Sequence, residues 1–287
     1  MHRLREWTNS FRASPGFALA LLIALAAAGF NGVMVGLMAL GLDSLLPGPF
    51  SQMNHFKEPV HRVHDLTFGF LFLPSVAGIL VQFRRPSKNI AGQLMALIPS
   101  VGLLLTLFLS SVLANNTSVL QPPWVTVMAA AFFTTILHPA GREFFRSFGV
   151  ARVNPVMLIL VAVAAVPLVL FASTNIGIQG AVTDGHAAAG HYGFMAAFGF
   201  TVIGVSLLAT LRPDGWRLTA WIAGPLPALL GLASLLYPEA TSSLGLGWAL
   251  AAIAWGALFV AAAEFPTHAN NSRPLRTGPV LSKSEGS

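Results

Sequence analysis

The stretch HDLTFGFLFLPSVAGILVQFRRP, His64 to Pro86, decides the fold. It opens on a histidine and an aspartate and closes on Arg84, Arg85 and Pro86, with no charge from Leu66 to Phe83. At 1.5 Å per residue, a helix from His64 to Arg85 is about as long as a bilayer core is thick, roughly 30 Å. The segment is a ruler across a membrane, polar at one end and basic at the other. A second ruler, HYGFMAAFGFTVIGVSLLATLRP, runs from His191 to Pro213 with the same histidine-to-proline separation.

The rest of the chain has the same character. Of 287 residues, 55% are hydrophobic and only 9% are charged, against about 25% charged in a soluble domain. Mean hydropathy is +0.71. Eight apolar runs are long enough to count as spans, at about 17–41, 65–83, 90–113, 124–140, 155–175, 192–211, 217–237 and 244–265. The runs are continuous, whereas a membrane barrel alternates apolar and polar positions. The fold class is therefore all-α, an integral membrane bundle of eight transmembrane helices. Prolines inside the spans, such as Pro74 and Pro99, are tolerated where neighbouring helices satisfy the released backbone groups.

The loops orient the bundle. With eight spans, all of the 16 Lys and Arg except Lys57 and Arg62 fall on one side. The positive-inside rule makes that side cytoplasmic, with both termini there, in a multi-pass protein of the cell membrane. The net charge of +6 thus orients helices and does not imply a nucleic-acid partner; the partner it implies is the lipid bilayer. The basic leader and first apolar run are too long for a cleaved signal sequence, so the run reads as a retained helix.

The two rulers, the prolines that follow them (Pro99, then Pro225 and Pro227) and the Glu-Phe pairs at Glu143 and Glu264 suggest a duplicated four-helix unit. The chain then divides into a basic cytoplasmic N-terminus (1–16), a first half (17–140), a cytoplasmic loop (141–154), a second half (155–265) and a polar cytoplasmic tail (266–287) expected to be disordered.

Chemistry is concentrated at the outer end. No ionisable residue lies in the middle of a span, which argues against a proton pump. Five of the 8 histidines, His55, His61, His64, His186 and His191, fall outside the membrane on the expected topology, beside Glu58, Asp65 and Asp184. His61 and His64 are three apart and share a helical face. Under the duplication, His64 and His191 are counterparts that approach at the outer mouth. Imidazoles with a carboxylate suit zinc, copper or iron, and two histidines from different helices can hold a haem. The metal-ligating candidates are His61, His64, Asp65, His186 and His191, with His64 and His191 as the haem pair. H-x-x-H-D differs from the H-E-x-x-H of zinc proteases. Met34 and Met38, with Met53 and His55, offer a soft copper site or simply helix packing. His138 sits in a basic inner-end cluster suited to lipid headgroups. With 0 cysteines, disulfides, thiolate sites and a cysteine nucleophile are excluded.

The pattern V-H-D-L, an apolar span with a central F-L-P, then R-R-P (Val63 to Pro86) resembles a group of bacterial and archaeal multi-helix membrane proteins of unknown function. That resemblance implies the fold and carries no activity. His64, Asp65, Phe68, Gly69 and Phe70 also resemble the helix start of haem-and-copper membrane proteins of nitric-oxide metabolism, which motivates the haem expectation. No G-x-S-x-G, phosphate loop or buried acid pair is present. The sequence favours a non-enzymatic bundle that is structural or handles lipids or small solutes. A haem or copper redox protein and a metal-dependent membrane hydrolase are the alternatives.

Overall fold

The structure, a computed structural model, describes residues 14–39, 42, 59–119, 122–141, 144, 146, 148, 149 and 152–265. The described residues form helices α1 (Pro15–Ala39), α2 (Arg62–Gln82, after a 3-10 turn at Pro59–His61), α3 (Ile90–Leu113), α4 (Pro122–Ile136) and α5 (Pro155–Ala181). They continue with the single turn α6 (Gly185–Ala188), then α7 (His191–Leu211), α8 (Trp216–Ala223), α9 (Pro225–Leu236) and α10 (Gly245–Glu264). No strand occurs among the described residues. Among the described residues, seven helices are long and apolar enough to cross a membrane, α8 and α9 counting together as Trp216–Leu236.

Two spans differ from the sequence expectation. The run expected at 124–140 is helical only as far as Ile136, and its 15 residues cover about 22 Å at 1.5 Å each. Pro139 is the cause: a residue preceding proline is pushed out of the helical region, and Gly141 then turns at φ +48°. The run expected at 217–237 is divided by Pro225, which has no N–H for the helical ladder. Gly224 keeps helical angles, φ −66° and ψ −50°, so the axis carries on. In the other direction, α5 runs to Ala181, beyond the expected 175. Its start is fixed by Asn154, whose side chain accepts the N–H groups of Val156 and Met157, satisfying donors that every helix start leaves over.

The most buried helix is α7, with 72% of its apolar window inside the bundle, against 17% for α5. It packs against α2, α3, α5 and α8, while α2 packs against α1, α3, α7 and α9. Close approach is bought by small residues. A Cβ added to Gly78 on α2 would run into the Gly92 carbonyl and Ala96 of α3. Large apolar side chains such as Leu19, Phe30, Phe108, Ile159 and Leu250 are exposed around the waist, where a bilayer would cover them.

The bundle has two chemically different ends. At one, His64 at the start of α2 meets Ser242 beyond α9, and the Thr241 N–H bonds the Val60 carbonyl. At the other, the Ala91 N–H bonds the Asp214 carbonyl and the Asn154 N–H bonds the Thr210 carbonyl. Arg84, Arg85, Lys88, Arg152, Arg212 and Arg217 belong to this second end, where Arg152 pairs with Asp214 at 2.9 Å.

His138 is buried at this basic end, where the sequence suggested a headgroup contact. Its Nε2 lies 3.2 Å from Gln82 Oε1 and its Nδ1 accepts the Ala140 N–H. The neutral ring satisfies both contacts, whereas a second proton would displace the Ala140 donor. Burial lowers its pKa to about 4, against a smaller opposing pull from the Pro86 backbone. A base with a depressed folded pKa loses stability as pH falls below its unfolded value, here between the ordinary 6.5 and about 4. Integrated, that shift is about 3 kcal/mol. The thermal midpoint of the detergent-solubilised protein is expected to drop across this window, and His138→Gln, which keeps a side-chain donor but cannot titrate there, to flatten the drop.

Candidate metal centre

His61 ends the 3-10 turn at Pro59–His61, and His64 sits in the first turn of α2, three residues on. Three-residue spacing stacks the two side chains on one face. His186 is carried by α6 and His191 opens α7. The four rings converge. Each offers a nitrogen, and all four nitrogens lie within 4.8 Å of one another. His61 and His64 are 5% and 3% exposed.

His186 stands in the middle. Its ring centroid is 4.2 Å from that of His61, 5.2 Å from His64 and 5.7 Å from His191, and His64 and His191 are also 5.7 Å apart. Nitrogens around a tetrahedral ion with bonds of 2.0–2.1 Å are about 3.3 Å from each other. The observed ceiling of 4.8 Å is therefore closed by small side-chain rotations.

Outer contacts orient the rings. His64 Nε2 lies 2.7 Å from Ser242 Oγ. Ser242 holds this position from a left-handed backbone, φ 65°, a conformation that costs a non-glycine residue about 1–2 kcal/mol. His186 Nδ1 lies 3.5 Å from Asp184 Oδ2, directing the ring's other nitrogen, Nε2, inward. The Asp184 carboxylate also accepts the Ala187 N–H at 2.8 Å and the Tyr192 hydroxyl at 3.1 Å. Burial acts to raise its pKa, but the Ala187 and Tyr192 hydrogen bonds and His186 outweigh it and hold the carboxyl below the ordinary range. Metal-bound histidines characteristically give their second nitrogen to a carboxylate or hydroxyl of this kind.

Asp65 lies outside the imidazole group. Consecutive helical residues are about 100° apart around the axis, so the turn that aligns His64 with His61 points Asp65 away. It is nonetheless buried, at 2% exposure, and its Oδ2 has no hydrogen-bond partner among the described residues. Met34 is buried in α1. The Met38 side chain, Met53, His55 and Glu58 lie outside the described residues. Sequence reasoning missed Ser242, an ordinary-looking serine in a turn remote from His64; its positive φ is not encoded in any residue type.

A tetrahedral ion would be filled by four imidazoles, leaving a structural or electron-carrying centre. A five- or six-coordinate ion would keep positions open for a further ligand. In comparison with known proteins, no family model matches the chain, and neither curated proteins nor solved structures gave a match.

Proposed function

We propose that this chain is a multi-pass membrane protein that holds one divalent first-row transition ion, of the zinc, copper or iron class, in a four-histidine centre at its outer end. One observation carries the reading: four imidazoles from three separate segments offer nitrogens within 4.8 Å of one another. A bundle with only packing duties has no reason to collect four imidazoles, two of them buried, whose protonated forms repel. Neutral nitrogen ligands select this class of ion over magnesium or calcium.

A haem between His64 and His191 fits less well. His186 is nearly equidistant from both rings, 5.2 and 5.7 Å, so it occupies the plane a porphyrin between them would need. A hydrolytic centre also has less support, because among the described residues no carboxylate joins the ligand group.

The membrane arrangement we infer is eight crossings with both termini cytoplasmic. The short α4 supports this when taken with its flanks: Val119 lies against Gly193 at the histidine end, and His138 against Gln82 at the basic end. The chain between them passes from one end to the other. Contacts also support the duplication. The ring α1–α2–α3–α4 has its counterpart in α5–α7–α8/α9–α10, and the cross-contacts α3 with α7 and α9 with α2 exchange under the same pairing. Asn115 and Ser242, as far apart in sequence as His64 and His191, follow the third helix of each half, and both have left-handed backbones, φ 48° and 65°.

Elemental analysis of protein purified from cells supplied with iron, copper and zinc tests the proposal. One ion per chain is expected, with nitrogen hyperfine structure in the copper-loaded form. Metal-free protein that also fails to bind added zinc or copper would sink it.

A further inference from the structure

A cavity of about 780 Å³ opens between α5, α7, α9 and α10. Its long walls are apolar. Val163, Pro167 and Phe171 line it from α5, and Trp248 and Trp255 from α10. Val163 and Trp248 are themselves 64% and 62% exposed at the lipid-facing surface, so the cavity opens toward the bilayer. Trp255 is fixed in place by its indole N–H, which donates to the Leu160 carbonyl at 2.9 Å.

The histidine end of the cavity is different. It is lined by Asn175, Tyr192 and Ser242. Ser242 is the residue that contacts His64, and Tyr192 packs against the rings of His64 and His186 at 5.5 and 5.8 Å. The cavity and the histidine centre thus share a wall. Asn175 is 4% exposed. Its Nδ2 donates to the Phe171 carbonyl, while its buried Oδ1 has no partner among the described residues. A buried amide oxygen left unsatisfied is destabilising, and it asks for a donor.

We propose that this cavity binds a single-chain amphiphile from the bilayer, whose head carries a hydroxyl group that turns the Asn175 amide toward the cavity and donates to its Oδ1, beside the four-histidine centre. From Val163 to Asn175 the helix rises about 18 Å, the length of a chain of roughly a dozen carbons. That the head meets a metal rests on the reading above; that the slot is filled does not.

The test uses the full chain in nanodiscs of phosphatidylcholine, a lipid without a hydroxyl donor. 12-Bromododecan-1-ol, whose bromine would reach the level of Trp255, is titrated while tryptophan emission is followed. Saturable quenching is expected, weakened about tenfold when the hydroxyl is methylated or Asn175 is changed to leucine, the effect of one lost hydrogen bond. Ala252→Phe, which narrows the cavity, is expected to weaken it too, and Trp255→Phe to remove most of the signal. Competition by 1-dodecanol and by 4-dodecylphenol then separates an alkyl alcohol from an aromatic head.

Non-saturable quenching, or equal quenching by alcohol and ether, would overturn the proposal and leave a groove filled by bulk lipid. Should Asn175→Leu fail to fold, the alcohol–ether pair and Ala252→Phe decide the matter. Metal content measured on the same samples separates the two readings. Alcohol binding without metal keeps the slot and rejects the ion, and metal without alcohol binding does the reverse.

Discussion

Alanine at His186 or at His64 is expected to lower zinc or copper affinity a hundredfold or more and to abolish co-purified metal. His186 is the hub of the cluster, touching the rings of His61, His64 and His191. His64 is the ligand that α2 and the Ser242 turn hold from two sides. Removing either leaves three imidazoles, and removing His186 leaves all three without their central neighbour. The orienting contacts should matter less, about 10–100-fold each. Ser242→Ala removes the hydroxyl from His64 Nε2. Asp184→Asn is the more discriminating change, because asparagine caps a helix as well as aspartate does. It leaves α6 in place and removes the charge that orients His186, together with the second oxygen that accepts the Tyr192 hydroxyl. Asp65→Asn and His138→Gln should leave stoichiometry at one ion per chain, since Asp65 points off the imidazole face and His138 is at the far end of the bundle. Isothermal titration and thermal shifts give independent readouts: an ion at a hundred times its Kd adds about 2.7 kcal/mol to the folded state, a gain the His186 and His64 variants should lack. Equal metal binding by His186→Ala and the unmodified protein would refute the centre.

The helices were legible because membrane spans are long and their chemistry is redundant. Twenty apolar residues bounded by arginines read as a span whatever their neighbours do. The limits of that legibility were local backbone effects, Pro139 shortening α4 and Pro225 dividing the span into α8 and α9. The histidines could be singled out because so few polar residues remain in such a chain, and their excess at one end is visible by inspection. Convergence was harder. His61 with His64 follows from helical spacing, but His186 lies on a four-residue turn whose direction is set by the Asp184 cap and by Tyr192. No periodicity reports that. Asp65 was grouped with His64 by adjacency in sequence, which on a helix means divergence in space. Asn175 was unremarkable because an asparagine in an apolar run is ordinarily satisfied; only the packed structure shows its Oδ1 without a partner.

Valine at Gly190 is expected to cost about 2–5 kcal/mol and to dismantle the metal centre without touching a ligand. Gly190 precedes His191 with φ +74°, a backbone state that a β-branched residue resists by about 1–2 kcal/mol. Space is also lacking: a Cβ there would lie 2.6 Å from the Ser118 carbonyl oxygen and 3.1 Å from Val119 Cα. These are backbone atoms of the segment that closes over the start of α7, so no side-chain rotation relieves them, and overpacking of this kind adds about 1–3 kcal/mol. Relief requires the first turn of α7 to move, taking His191 and Tyr192 with it, and Tyr192 in turn holds the carboxylate behind His186. One backbone shift therefore reaches two of the four rings. Gly185 is the internal control. It lies in the same connection, one residue before His186, at no positive φ and with nothing within 4 Å of an added Cβ. Gly185→Ala should keep both the melting temperature and the bound ion. Gly190→Val should lower the melting temperature in the metal-free protein as well as in the loaded one, and lose most of the ion. If Gly190→Val kept full metal affinity, the start of α7 would not be what places His191.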